Sequence, residues 1–189
     1  MESYKQIAPE LWSISQVLTP YDFYSLHQEF LYDSWKFQKY QDDRPLSYPR
    51  RGQLHKPMSE LGTLGDNLQL IKIGTKVQLF AQKILKTRLE LSRIHTNIQF
   101  FGQESTFHVD VENDTTRGNY WGFLIFAQER WDTEWGGDFV YNIEEGYYNV
   151  PYIPNNGVIF NTQREHRGMA PNLLCNLPRF SVQFMFREI

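Results

Sequence analysis

At 189 residues, with 16% aromatics, the chain is long enough for one domain with a sizeable core. Nineteen basic against 22 acidic side chains leave a net charge of −3, which gives no electrostatic reason to expect nucleic acid or an anionic membrane as partner. A single cysteine, Cys175, excludes an internal disulfide and fits a reducing compartment. There is no apolar run long enough to span a bilayer. The opening Met1 to Gln6 lacks the apolar stretch and cleavage pattern of a signal peptide. The expectation is a cytoplasmic protein. No internal repeat or low-complexity segment is present.

Taken in order, residues 10–17 alternate enough for a strand. Thr19-Pro20 reads as an N-cap followed by proline in the first helical position. The helix it opens, Tyr21 to Tyr32, carries Phe23, Leu26, Phe30 and Leu31 near one face, and His27 within it reads as a partly exposed structural histidine. Residues 38–66 are poor in apolar side chains and broken by Pro45, Pro49, Gly52, Pro57, Gly62 and Gly65. This is an irregular loop, locally basic through Arg44, Arg50, Arg51, His55 and Lys56. Its plain reading is a solvated excursion; its sharper one is a substrate-facing lid, because long loops in compact domains are often functional. Val77, Phe80, Ala81, Ile84, Leu85 and Leu89 predict a second helix over Val77 to Leu91. A strand follows from His95 to Phe101, broken by Gly102.

From Thr106 the pattern changes to short apolar or alternating segments separated by turns, at 106–111, 120–128, 137–141, 147–150, 157–161, 166–170 and 179–187. Helices followed by many short strands make an α+β chain. The regular strand spacing suggests a jelly roll, that is a double-stranded β-helix, with the N-terminal helices packed on one face. No domain boundary is visible, so residues 1–189 are expected to form a single domain, with the jelly-roll core at about 95–187.

Within this run, His108-Val109-Asp110 places two ligand-type side chains on one face of a strand. A downstream His166 completes two histidines and a carboxylate, a donor set that with open positions suits non-haem Fe(II). A lone His-x-Asp triplet is weak among five histidines and 22 acidic residues, and each histidine is as readily a satisfied structural residue. In the final strand, Arg179, Ser181, Gln183 and Met185 share one face, and Phe180, Val182, Phe184 and Phe186 the other. The phenylalanine face packs under the helices. The arginine then points inward and needs an anion, either an internal carboxylate or a bound dicarboxylate. Gly136-Gly137 and Pro154-Asn155-Asn156-Gly157 read as turns.

Phe101-Gly102-Gln103 ahead of His108-Val109-Asp110, then Trp131 to Phe139, Pro154 to Phe160, His166, and Arg179-Phe180-Ser181 occur in a specific order. In that order they resemble the 2-oxoglutarate and Fe(II) dependent oxygenases, especially their prolyl 4-hydroxylase-like branch. The resemblance covers about residues 95–187, with a looser match at the helices. It implies that His108, Asp110 and His166 hold Fe(II), and that Arg179 and Ser181 receive the far carboxylate of 2-oxoglutarate. Gln99 stands where the branch often has a tyrosine that also touches this cosubstrate, and is the third expected contact, through an amide hydrogen bond in place of the tyrosine. Dioxygen is the second cosubstrate, ascorbate a candidate reductant, and succinate and CO2 the coproducts of a hydroxylation. The implied substrate is a prolyl residue in a peptide or protein, with a small molecule or free amino acid as the alternative.

Two departures weaken the prolyl implication. The interval from His166 to Arg179 is long, and the basic residue is arginine where collagen-type prolyl hydroxylases commonly have lysine. Tyr120, Trp121, Trp131, Trp135, Tyr147, Tyr148 and Tyr152 are candidates for an aromatic mouth, with core packing as their plainer role. His27, His55 and His95 are expected to take no part in the metal site. A jelly-roll binding protein that has lost catalysis and a cupin-like metal isomerase are the competing classes. Nucleobase repair is disfavoured by the acidic balance.

Overall fold

The structure is a computed structural model that describes residues 3–32, 36–39, 52–58, 68–111 and 118–189. It opens with an antiparallel hairpin of β1 (Ser3–Ala8) and β2 (Leu11–Ser15), turned at Glu10 with φ 56°. Only β2 shows in the sequence, because most of β1 is exposed and it carries no apolar alternation. The N-cap is as expected: the Thr19 hydroxyl accepts from the Asp22 amide at 3.2 Å, and α1 runs Pro20–Tyr32. Leu26 and Phe30 are buried on its inner face, whereas Leu31 is exposed.

Most of the basic loop expected at 38–66 lies outside the described residues. Parts of that region are strands: β3 (Lys36–Lys39) pairs with β4 (Gly52–Met58), which adds to the edge of β5 (Leu89–Gln99). Helix α2 runs Leu68–Leu85, shifted toward the N-terminus relative to the expected span from Val77 to Leu91. Its buried stripe, Leu70, Ile73, Val77 and Ala81, keeps helical spacing back to the start. Lys86 then takes a left-handed φ of 56°, and the Gln82 side chain accepts from the Leu89 amide at 2.9 Å. Leu89 and Leu91 therefore belong to β5, not to the helix.

The remaining strands are β6 (Tyr120–Phe126), β7 (Phe139–Ile143), β8 (Gly146–Val150), β9 (Gly157–Asn161), β10 (His166–Gly168) and β11 (Arg179–Glu188). Among the described residues they form an eight-stranded sheet ordered β1-β2-β9-β6-β11-β5-β4-β3 and a three-stranded sheet ordered β10-β7-β8, all pairs antiparallel. The expected strand at 106–111 is reduced to one bridge, His108 with His166. Its backbone is held instead by His108 N to His166 O at 3.1 Å, the return bond at 3.0 Å, and Asp110 N to Thr162 O at 3.0 Å.

Two apolar cores follow from the layers. One lies between the helices and the outer face of the large sheet, where Phe180, Val182, Phe184 and Phe186 meet Leu26, Phe30, Ile73 and Val77. Phe30 stacks on Phe180 with ring centroids 4.8 Å apart. The other, with Phe126, Phe139, Tyr141, Tyr152 and Phe160, fills one part of the space between the sheets. The architecture is a jelly roll with helices on one face. No helix of the described residues is long and apolar enough to cross a membrane.

Candidate metal and cosubstrate site

The rest of the space between the sheets is a cavity of about 220 Å³ lined mainly by polar side chains of β5, β10, β11 and the His108 segment. His108, Asp110 and His166 meet there with their ligand atoms within 4.8 Å of one another. The His108 and His166 Nε2 atoms lie 3.6 and 3.5 Å from the two oxygens of Asp110. Both imidazoles have a fixed tautomer. His108 Nδ1 is 2.8 Å from the Thr106 carbonyl and His166 Nδ1 is 2.9 Å from the Arg164 carbonyl. A carbonyl only accepts, so Nδ1 carries the proton and the Nε2 lone pairs face the carboxylate. That is the arrangement by which metal-binding histidines are oriented.

The protonation states agree with a cation site. Burial, and next the proximity of His166, lower the His108 imidazole from its ordinary value, favouring the neutral ligand form. Burial alone pushes the Asp110 carboxyl up. The proximity of His166, then of His108, and the hydrogen bond from Gln183 outweigh it and hold the group well below the usual carboxylate range. Gln183 donates Nε2 to Asp110 Oδ2 at 2.5 Å. Strand alternation assigns Gln183 a face but no role; its inward position four residues after Arg179 is the available signal.

Arg179 lies deep in the same cavity and is 2% exposed. Its Nε donates to the Gly137 carbonyl at 2.7 Å, and Nη1 donates to Gln99 Oε1 at 2.8 Å and Ser181 Oγ at 3.1 Å. The rings of Tyr152 and Phe126 flank it at 5.2 and 5.8 Å. Nη2 is buried with no hydrogen-bond partner among the described residues. Burial lowers the guanidinium from its ordinary value, against the charges of Tyr152, Asp138 and Glu104, but no carboxylate among the described residues forms an ion pair with it. A buried cation with an unspent donor is costly unless an anion joins it. The internal-salt-bridge explanation of Arg179 therefore has no partner here, and a bound carboxylate fits the vacant donor.

The Gln99 side-chain amide is engaged at both ends. Its Nε2 faces the carbonyls of Gln103 and Gly168 at 3.1 and 3.2 Å, while its oxygen accepts from Arg179. Gly136-Gly137 is more than a turn. Gly137 has φ 81°, and a Cβ there would lie 2.8 Å from the Trp131 ring and 3.4 Å from Arg179 Cδ, so the glycine lets its carbonyl reach the guanidinium. Arg93 and His95, absent from the sequence-based site, both line the cavity. Of the residues considered for an aromatic mouth, none does. Trp121 and Tyr152 are buried in the two cores, and Trp131 packs on Tyr152 at 4.4 Å. Tyr147 stacks on Phe107 at 4.7 Å beside a separate cleft of about 980 Å³. His27 is not partly exposed but buried, on α1 itself, with Nδ1 3.2 Å from the Ala127 carbonyl; the His55 side chain lies outside what the structure describes.

No family model matches the sequence, and no curated protein matches it. Solved structures do match the fold. A prolyl hydroxylase from Trichoplax adhaerens, in complex with a hypoxia inducible factor oxygen degradation domain peptide fragment, superposes with a TM-score of 0.70 at 17% identity, covering 95% of this chain and 84% of that one. A Pseudomonas putida prolyl-4-hydroxylase gives a TM-score of 0.66 at 14% identity, over 95% of this chain and 93% of that one. HygX from Streptomyces hygroscopicus, with nickel, 2-oxoglutarate and hygromycin B bound, gives 0.68 at 11% identity, over 94% and 82%. The chain thus has the jelly-roll fold of the prolyl hydroxylases and of HygX.

Proposed function

We propose that the chain, residues 1–189 acting as one domain, is a 2-oxoglutarate and Fe(II) dependent dioxygenase that hydroxylates an unactivated C–H bond. The observation that carries this reading is the joint presence, in one cavity, of the His108, Asp110 and His166 cluster and a buried Arg179 with an unspent donor. The shared fold with enzymes of this chemistry supports it.

His108, Asp110 and His166 would hold the iron, a two-histidine, one-carboxylate set that leaves coordination positions free for other ligands. Gln183 fixes the rotamer of Asp110, and the Thr106 and Arg164 carbonyls fix the two imidazoles. Arg179 binds the far carboxylate of 2-oxoglutarate through Nη2, and the Ser181 hydroxyl, which accepts from Arg179, keeps its proton to donate to the same anion. Gln99 and the Gly137 carbonyl position the guanidinium rather than the cosubstrate. When bound, iron with 2-oxoglutarate and dioxygen supplies the oxidising power, with succinate and CO2 as coproducts and ascorbate as an auxiliary reductant. The side chains supply geometry and a shielded cavity; no general acid or base is required of them.

A prolyl residue in a peptide is one substrate reading, supported by the Trichoplax enzyme and its peptide; a small molecule is the other, supported by HygX and its bound hygromycin B. An inactive binding protein has no need to keep the three donors and Arg179 together, and an isomerase reading gives Arg179 no task. The buried free thiol of Cys175 suits a cytoplasmic setting. The test is succinate release from 2-oxoglutarate. It is expected to require added Fe(II) and dioxygen and to vanish in His166→Ala. Succinate release that survives this substitution, or none in the unaltered protein, refutes the proposal.

A further inference from the structure

Strand β5 turns Arg93, His95, Asn97 and Gln99 toward the cavity, and its register with β11 ranks them. Gln99 is opposite Arg179, Asn97 opposite Ser181, His95 opposite Gln183 and Arg93 opposite Met185. Each step is roughly 7 Å along the strand. The cosubstrate proposed above belongs to the first two levels, beside Arg179 and Ser181. The triad stands at the third, where Gln183 holds Asp110. Arg93 is one level further, on the side of the triad away from Arg179.

Arg93 has donors to give. Its Nε is buried with no hydrogen-bond partner among the described residues, and its Nη2 forms an ion pair with Asp110 Oδ1 at 3.8 Å, too long for a hydrogen bond, in a side chain that is 38% exposed. It is not what orients Asp110, because Gln183 already does so at 2.5 Å. A guanidinium this close to a dication site repels the metal. Its presence is explained if an anion arrives with the substrate. Among the described residues that line the cavity, Asp110 is the single carboxylate, and Asn97 Oδ1 is a second buried polar atom without a partner. The cavity, about 220 Å³, is below the roughly 300–1,000 Å³ of pockets that enclose drug-sized ligands. Once it holds 2-oxoglutarate, only a small part of a substrate fits.

Resting on the oxygenase reading, we infer that the substrate carries a carboxylate within a few bonds of the oxidised carbon, and that Arg93 binds it. Two sources share this chemistry: the α-carboxylate of a free amino acid and the acidic side chain of a peptide. A prolyl residue inside a peptide offers no such group, whereas free proline does.

The test is calorimetric binding to the anaerobic protein loaded with Fe(II) and 2-oxoglutarate. One arm uses the free amino acids, proline included, against their α-carboxamides. The other uses N-acetylated, C-amidated Asp and Glu against the equally blocked Asn and Gln. At least one acid is expected to bind about tenfold or more tighter than its amide, near 1.4 kcal/mol. Arg93→Gln should remove that preference and Arg93→Lys should keep part of it. A preference confined to the first arm assigns a free amino acid, and one confined to the second a peptide side chain. Amides that bind as well as acids, no binding by any acid, or an undiminished preference in Arg93→Gln overturns the inference. The acid-against-amide comparison on the unaltered protein decides even if Arg93→Gln fails to fold. Failure of that protein to bind Fe(II) or 2-oxoglutarate at all is a different result, and sinks the oxygenase reading together with this one.

Discussion

The two faces of β11 are equally inaccessible to water and built for opposite purposes. Phe180, Val182, Phe184 and Phe186 are each 2% exposed or less and pack under α1 and α2. Arg179, Ser181 and Gln183, alternating with them, are each 8% exposed or less and line the cavity. Burying the first set stabilises the fold, at about 1.5–3 kcal/mol for each large side chain. Burying the second set costs stability unless every donor and acceptor is matched, and at Arg179 Nη2 one is not. One strand thus separates a face that holds the molecule together from a face that keeps an unmatched donor. The contrast teaches that burial alone does not mark a core; chemistry left unmatched marks a site.

Substitutions on each face should move different observables. The largest effect is expected from Phe184→Ala, which should lower stability toward denaturant by about 3–5 kcal/mol. Fe(II) affinity of the folded fraction should hardly change; an equal loss there would erase the distinction between the faces. His166→Ala should weaken Fe(II) binding by more than about 100-fold, beyond what loss of an outer hydrogen-bond partner costs. Its metal-free stability should fall too, but by less than in Phe184→Ala, because the buried His166 ring packs on Phe139 and Phe160. Gln183→Leu removes the donor to Asp110 and fits the strand, so Fe(II) affinity should fall by roughly 10–100-fold, as measured by competition with a chelator. Undiminished affinity would mean that Gln183 does not position the carboxylate.

The smallest effect belongs to Asp22, at the helix layer. Lys76 Nζ donates to Asp22 Oδ2 at 2.6 Å, tying α1 to α2. The Lys76 hydrogen bond, opposed by burial and aided by Thr19, holds the carboxyl below its ordinary value. A depressed folded-state value stabilises above the unfolded one, near 3.9, and that contribution is lost as pH falls through the folded value. Asp22→Asn should therefore cost about 1 kcal/mol or less at neutral pH. Unfolding midpoints should converge with the original protein as the pH is lowered below that range. A gap that persists in acid would point to packing rather than charge.

The legible parts of the molecule were those written in side-chain alternation or in local capping chemistry. The two faces of β11 and the Thr19 cap are of that kind. The illegible parts depend on pairing across the chain. Exposed β1 becomes a strand only because β2 lies beside it. His108 and Asp110 converge without a strand, because backbone bonds to His166 and Thr162 pin the segment. Extending the second helix to Leu91 hid the start of β5, and with it the inward position of Arg93. The Gly137 carbonyl on Arg179 was out of reach of sequence, since a glycine pair signals a turn and not which side chain its backbone will meet.

The central claim is that the inner face of β11 receives 2-oxoglutarate at Arg179 beside an independently held metal. It is tested most directly by 2-oxoglutarate binding to the anaerobic Fe(II) protein, unaltered against Arg179→Ala, with bound iron measured in both. Iron should remain, since a guanidinium does not ligate a cation. Affinity for 2-oxoglutarate should fall by about 2–5 kcal/mol, the loss expected when one partner of a buried charged pair is removed. That is roughly 30-fold to several thousand-fold. A change of less than about threefold, under 1 kcal/mol, with iron still bound would place the anion elsewhere and contradict the account.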